Sequence, residues 1–423
     1  MSGYRAAALV VVSAGVLLAA LELVSAAVLE TVLETPGAPR LEALPGDAVS
    51  GAASPYFARV PWGAQHWQEL ERVQARTRYE PFVMWRTAAV NGETINVRGD
   101  GNRVTPGARC EPGSFRVFVF GGSTAWGYGV PDAETIPAQL QRSLSRHISR
   151  PVCVTNFADV GHVSTQSLLS LLGQVGRGNV PDVVLFYQGV NDITVADLYN
   201  EAGLHGDMNR FSRRLEETDS TASWWRSTSL AVLARRLAGA STLAPPVQQY
   251  PHTLGDTSKE SLSELADATV RVSLANHSMG LAVARELDFA FVSFWQPNIF
   301  VGAKPLTTEE LLIREGDRPG RRVSARFVSA VYERMRATAA SADGLYYLAN
   351  VFDHEPRLLY MDWQHVVPEG NELVAKRMVE ALDAENVLEG ARVRGQGSGG
   401  QGSGNGRAAL SYERWCVVPS ACR

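Results

Sequence analysis

Four short polar stretches carry residue types that can do chemistry, and each comes after an apolar run. Ser123 directly follows the Phe- and Val-rich run Phe115 to Phe120 and the two glycines Gly121 and Gly122. Asn156 to Gly161 closes the run from Val152 to Phe157; Gly189 to Asp192 follows Asp182 to Tyr187; Asp362 and His365 come after Leu345 to Leu348. A serine hydroxyl is a weak nucleophile at neutral pH and needs a base within hydrogen-bond reach. His365 has a carboxylate three residues before it, so Asp362 can orient the ring and stabilise the imidazolium. The chemistry this points to is acyl transfer, with His365 taking the Ser123 proton and returning it to a leaving alcohol. Each stretch alone has a plainer reading. Gly-Gly-Ser can be an ordinary turn or a phosphate-cradling loop, Asn-Asp a turn, Gly161 a matter of backbone geometry, and His365 a helix-entry residue before Pro368. His354, beside Asp353, is a rival base, and His162 beside Gly161 reads as structural.

Positioning these residues requires strands that end at a common edge. The continuous apolar runs Phe115–Phe120, Val152–Phe157, Asp182–Tyr187, Phe289–Phe294 and Leu345–Leu348 read as five strands. Helical patterns alternate with them at Ile136–Ile148, Ser164–Val175 (capped by Ser164 or Thr165), Ser261–Leu287, Val323–Ala340 and after Pro368. Such alternation predicts a three-layer α/β/α fold with a central, mostly parallel five-stranded sheet. Loops at the carboxyl ends of such a sheet gather around one crevice.

With its four stretches in this order, the chain resembles the SGNH hydrolases, the GDSL-like esterase and lipase family, over about Phe115 to Leu382. Gly-Gly-Ser-Thr stands where that family has Gly-Asp-Ser-Leu, so Gly122 departs from the name-giving motif while Ser123 keeps the nucleophile. Asn156–Gly161 matches the glycine block, Gly189–Asp192 the Gly-x-Asn-Asp block and Asp362–His365 the Asp-x-x-His block. The resemblance implies a flavodoxin-like sheet and a Ser123–His365–Asp362 triad. It also implies an oxyanion hole from the backbone N–H groups of Ser123 and Gly161 and the Asn191 amide, with Gly122, Gly189 and Asp192 in support. No metal and no organic cofactor are expected.

The flanks bear on location. Residues 6–29 are almost wholly apolar, long enough at about 1.5 Å per residue to cross a hydrocarbon core of about 30 Å. Arg5 precedes the run, and Glu30 and Glu34 follow it, which puts the N-terminus (1–5) in the cytoplasm and the rest outside. A signal peptide cleaved near Val24-Ser25-Ala26 is the competing reading, and it exports the rest equally. Residues 30–111 read as a spacer and N-terminal appendage, 112–385 as the hydrolase domain with an irregular insertion at 193–260, and 386–423 as a Gly/Ser-rich linker and tail. Within the appendage, Pro61–Thr77 reads as a helix, and Tyr79–Arg86 and Thr94–Arg98 as short strands. The insertion reads as a lid, a substrate wall or a plain surface excursion. A second excursion, Gln296–Arg321, stands at a strand end where it can meet substrate.

A net charge of −4 without a long basic cluster gives no sign of nucleic-acid binding. Four cysteines allow three pairings, of which Cys110–Cys153 with Cys416–Cys422 is the simplest, and free buried thiols are the alternative. The expected function is a membrane-anchored, extracytoplasmic serine esterase acting on acyl esters of an envelope glycan or lipid, acetyl esters foremost. Two alternatives are an O-acyltransferase modifying an exopolysaccharide and a non-catalytic glycan-binding module.

Overall fold

The computed structural model describes residues 2–31, 55–204, 228–231, 233, 259–315 and 324–389. Most of the proline-rich spacer, Trp224-Trp225, Ala244–Pro246, the Gly/Ser linker, and Cys416 and Cys422 lie outside the described residues.

Among the described residues nine strands run in chain order as β1 (Thr77–Glu80), β2 (Met84–Thr87), β3 (Val90–Asn91), β4 (Asn96–Val97), β5 (Phe115–Gly121), β6 (Val152–Asn156), β7 (Val183–Gln188), β8 (Ala290–Trp295) and β9 (Leu345–Tyr347). The last five form one sheet in the order β6-β5-β7-β8-β9, and every neighbouring pair is parallel. Numbered by their own order, these strands read 2-1-3-4-5, the flavodoxin-like arrangement. The expected three-layer fold is therefore present.

Continuous apolar runs make these strands because both faces of the sheet are covered. Successive side chains point to opposite faces. Val117, Val119, Val183 and Leu185 join one core with Ile136, Leu140, Val374 and Met378, from helices Ile136–His147 and Pro368–Ala384. Phe118, Phe120, Val184 and Phe186 enter another with Leu168, Leu171 and Ala284, from helices Ser164–Val175 and Lys259–Leu287.

Two local readings need correction. Residues 193–199 are not irregular: helix Val190–Tyr199 follows β7 directly, with Ile193 and Ala196 fully buried against Trp295 and Phe327. Its Asp192, Thr194 and Asp197 look like surface residues in sequence but are buried and partnered. Helix Ser164–Val175 takes Val163 as its cap residue, because the Ser164 hydroxyl is drawn off to Asp192 Oδ1 at 2.5 Å.

The N-terminal region is stitched to the sheet. Helix Gly63–Gln74 buries Leu70 and Val73. Glu69 accepts the N–H groups of Glu93, Thr94 and Ile95 and the Thr94 hydroxyl. Burial works to raise its carboxyl, but these bonds bring it down to about 2. Arg103 bridges β4 at Val97 and β6 at Asn156. A disulfide joins Cys110 to Cys153, the first of the expected pairs.

Residues Ser2–Thr31 form one helix, with Val12, Leu17, Leu23 and Val24 more than half exposed. Its described side chains are those of residues 12–28, and among the described residues no helix is long and apolar enough to cross a membrane. Glu22, the charge inside the apolar run, accepts the backbone N–H groups of Ser229 and Leu230.

Candidate active site

β5 ends at Gly121, and Ser123 opens a short helix, Ser123–Trp126. The Ser123 N–H lies in the first turn, where no intrahelical carbonyl precedes it. The chain turns sharply at this point because Gly121 is packed against the Tyr187 carbonyl and Ala125, leaving no room for a Cβ. The strand holds the serine backbone rigidly while the turn presents its hydroxyl at the carboxyl edge of the sheet.

His365 arrives from the opposite end of the domain. A bridge between Tyr360 and Val366, and the bond from Met361 N to His365 O at 2.9 Å, close the loop that carries it. Inside that loop Asp362 Oδ1 accepts the backbone N–H of Gln364 at 2.8 Å and of His365 at 2.7 Å. Its other oxygen, Oδ2, lies 2.6 Å from His365 Nδ1. A carboxylate can only accept here, so the Nδ1 proton sits on that bond and Nε2 is left to accept. Nε2 is 2.8 Å from Ser123 Oγ. Burial acts to raise the Asp362 carboxyl, but the His365 charge, its ring N–H and the two backbone N–H groups outweigh it and hold it below the usual range. The three expected residues thus stand in one hydrogen-bonded line. The rival, His354, is exposed, whereas His365 is buried.

Asn191 stands beside Gly122, the residue before the serine. Gly161 takes φ 78°, and among the described residues its N–H makes no backbone hydrogen bond. The Asn191 amide Nδ2 donates to the His162 carbonyl at 2.9 Å and lies directly over Gly122, where any Cβ would run into it. An amide nitrogen has two hydrogens, so one is left after this bond. The departure from Gly-Asp-Ser at position 122 thus has a steric reason. Gly189 adopts φ 127° with the Trp295 indole packed against its Cα. Asp192 accepts the Ser164 N–H and hydroxyl and reaches Ser273 at 3.5 Å; burial pushes its carboxyl up. It ties helix Val190–Tyr199 to the start of helix Ser164–Val175.

Further residues surround the site, and of these Tyr128 was not singled out by its sequence pattern. The Tyr128 ring is stacked on His365, centroids 4.4 Å apart at 30°. His162 is buried, with Nε2 3.1 Å from the Trp85 carbonyl of β2, so it is structural and ties the N-terminal hairpin to Asn191. Asp159 accepts the Thr87 N–H and hydroxyl; burial raises its carboxyl against the pull of Arg86. The second excursion meets the triad loop where Ile299 N donates to Trp363 O at 3.0 Å. The only sequence signal for Tyr128 is its place in Gly-Tyr-Gly just after the serine. Among the described residues no group of three His, Cys, Asp or Glu side chains is placed to hold a metal ion.

The family model for GDSL-like lipase/acylhydrolase matches residues 117–378. No curated protein matches the sequence. Among solved structures, a lipase from the goat rumen metagenome is 14% identical, with 63% of this chain and 97% of that one covered at a TM-score of 0.37. An acetyl xylan esterase is 14% identical (63% and 99% covered, TM-score 0.33). A lipase/acylhydrolase from Enterococcus faecalis is 14% identical (64% and 96% covered, TM-score 0.30). A family match that runs over more than half of the sequence and takes in Ser123, Asp362 and His365 makes this chain a member of the GDSL-like lipase/acylhydrolase family, serine hydrolases that act on esters.

Proposed function

We propose that the chain is a membrane-anchored, extracytoplasmic serine esterase that removes short acyl groups, acetyl foremost, from an envelope carbohydrate or lipid. The observation that carries the reading is the line from Asp362 through His365 to Ser123, with contacts of 2.6 and 2.8 Å.

In this mechanism Ser123 Oγ attacks the ester carbonyl while its proton passes to His365 Nε2. The new charge on the carbonyl oxygen is met by the N–H groups of Ser123 and Gly161 and by the Asn191 amide. Collapse breaks the bond to the alcohol oxygen, which leaves with the proton from His365. Water then adds to the acyl-serine by the same route, giving up a proton to His365, and Ser123 is released with the carboxylic acid. Asp362 keeps the ring in one tautomer and orientation throughout and stabilises the imidazolium.

Preference for a small acyl group is supported by the tight enclosure of the nucleophile: Ser123 is 4% exposed and His365 2%. Location outside the cytoplasm is supported by the disulfide Cys110–Cys153, a bond that persists in oxidising compartments, and by the apolar helix Ser2–Thr31. The test is release of acetate from acetylated envelope polysaccharide by the purified full-length chain, with Ser123→Ala as control. Acetate release lost in Ser123→Ala is the expected result. Acetyl transfer to a glycan acceptor without acetate release would replace hydrolysis with transfer by the same triad.

A further inference from the structure

We infer that Tyr128 is the positioning residue for His365, and that Arg103 shapes the loop that puts it there. The inference rests on the serine-hydrolase reading above.

His365 makes its two ring contacts, to Asp362 and Ser123, through Nδ1 and Nε2, both in the plane of the imidazole. In-plane bonds fix direction but oppose tilting of the ring out of that plane only weakly. The Tyr128 ring covers one imidazole face at 4.4 Å and 30°, the offset stacked arrangement that aromatic pairs favour. The Tyr128 ring also meets Trp67 in a T-shaped pair, centroids 6.4 Å apart at 84°. It is 5% exposed.

The sequence brings Tyr128 to this place by curling the chain. Gly127 and Gly129, its two neighbours, adopt φ 101° and 79°, a region that side-chain-bearing residues avoid. The carbonyls exposed by the curl converge on one cation. Arg103 donates from Nη1 to Gly127 O at 2.6 Å and Trp126 O at 3.3 Å, and from Nη2 to Val130 O at 2.7 Å. Its Nε donates to Asp132 Oδ1 at 2.8 Å, and the guanidinium lies 4.4 Å from the Trp126 ring centroid. Arg103 is 1% exposed. A planar fork of five donors fits this set, whereas a lysine ammonium presents three from a single point. Arg103 and Trp67 both lie outside residues 117–378, the stretch that matches the family. The N-terminal region thus holds the loop that carries Tyr128.

The test uses the full-length chain with p-nitrophenyl acetate, and fluorophosphonate labelling of Ser123 as a second readout. Tyr128→Phe keeps the ring and is expected to lose far less kcat than Tyr128→Met. Tyr128→Met fills the space without a ring and should lower kcat about 100-fold with KM unchanged, the scale of a misplaced catalytic group. Arg103→Lys should cause a like loss, and Arg103→Lys combined with Tyr128→Met should lose no more than the larger single, because both act through one loop. A folded Tyr128→Met with wild-type kcat would overturn the inference. So would a Tyr128→Phe loss equal to that of Tyr128→Met, or losses that multiply in the double variant. If Arg103→Lys does not fold, the Phe and Met comparison decides the matter alone. A wild-type chain that neither turns over nor labels would overturn the serine-hydrolase reading and the inference with it.

Discussion

The Asn191 amide Nδ2 occupies the space that a side chain at position 122 would fill. Glycine is required there by proximity, not by backbone strain, since Gly122 has φ −90°. Gly122→Ala must push the amide away from Ser123 while leaving the triad bonds alone. The expected result is a fall in kcat of about 100-fold or more, the scale of one lost oxyanion donor, with KM little changed. Asn191→Ala should fall by a similar factor, and the two changes together should cost little more than either. Steady-state kinetics of the three variants checks this.

Asp362 can be tested through its proton. Its carboxyl is held below the usual range in the folded chain, so it contributes stability that is present above the unfolded value and lost as pH falls through the folded one. Asp362→Asn removes that contribution and disturbs the tautomer of His365. Activity should drop by up to about 10,000-fold. The melting temperature of the variant should depend less on pH than that of wild type below about pH 4.

Asp197 has the opposite sign. Burial lifts its carboxyl to about 6, against the pull of the Ser324 N–H that it accepts at 2.6 Å. The folded chain therefore binds this proton more tightly than the unfolded chain does. The stability so gained is full below about pH 4 and is lost as pH rises toward the folded value. Wild type should lose melting temperature relative to Asp197→Asn between about pH 4 and 6, by an amount worth up to about 3 kcal/mol. Thermal melts of both proteins across that range give the comparison.

The Cys110–Cys153 disulfide spans a sequence separation of 43 residues. Loop-closure entropy for that length assigns it up to about 4 kcal/mol. Replacing both cysteines with serine should lower the melting temperature by roughly 5–15 °C. It should leave kcat near wild type, because neither sulfur touches the triad residues. Differential scanning calorimetry with parallel assays measures both.

The sheet was legible because its strands are apolar on both faces: Val117 and Phe118 are adjacent, point opposite ways, and each enters a core. The triad was legible because Asp362 and His365 are three apart and share one loop, while Ser123 follows a strand and two glycines. Helix Val190–Tyr199 was not, since three of its polar residues find buried partners only in the folded chain. The cap placed at Ser164 or Thr165 failed for the same reason: the Ser164 hydroxyl donates to Asp192, and the Thr165 hydroxyl accepts the Asn276 amide. Arg103 and Tyr128 were out of reach for a different one. An arginine in sequence reads as surface, and nothing local indicates that three loop carbonyls and Asp132 will enclose it.

The central claim is that Ser123 is the nucleophile and His365 its base, and one comparison tests it most directly. The purified full-length chain is assayed with p-nitrophenyl acetate, butyrate and longer esters beside Ser123→Ala and His365→Ala. Wild-type turnover is expected to be greatest for the shortest ester and to be lost in both variants. Ester turnover that persists unchanged in Ser123→Ala would contradict the claim.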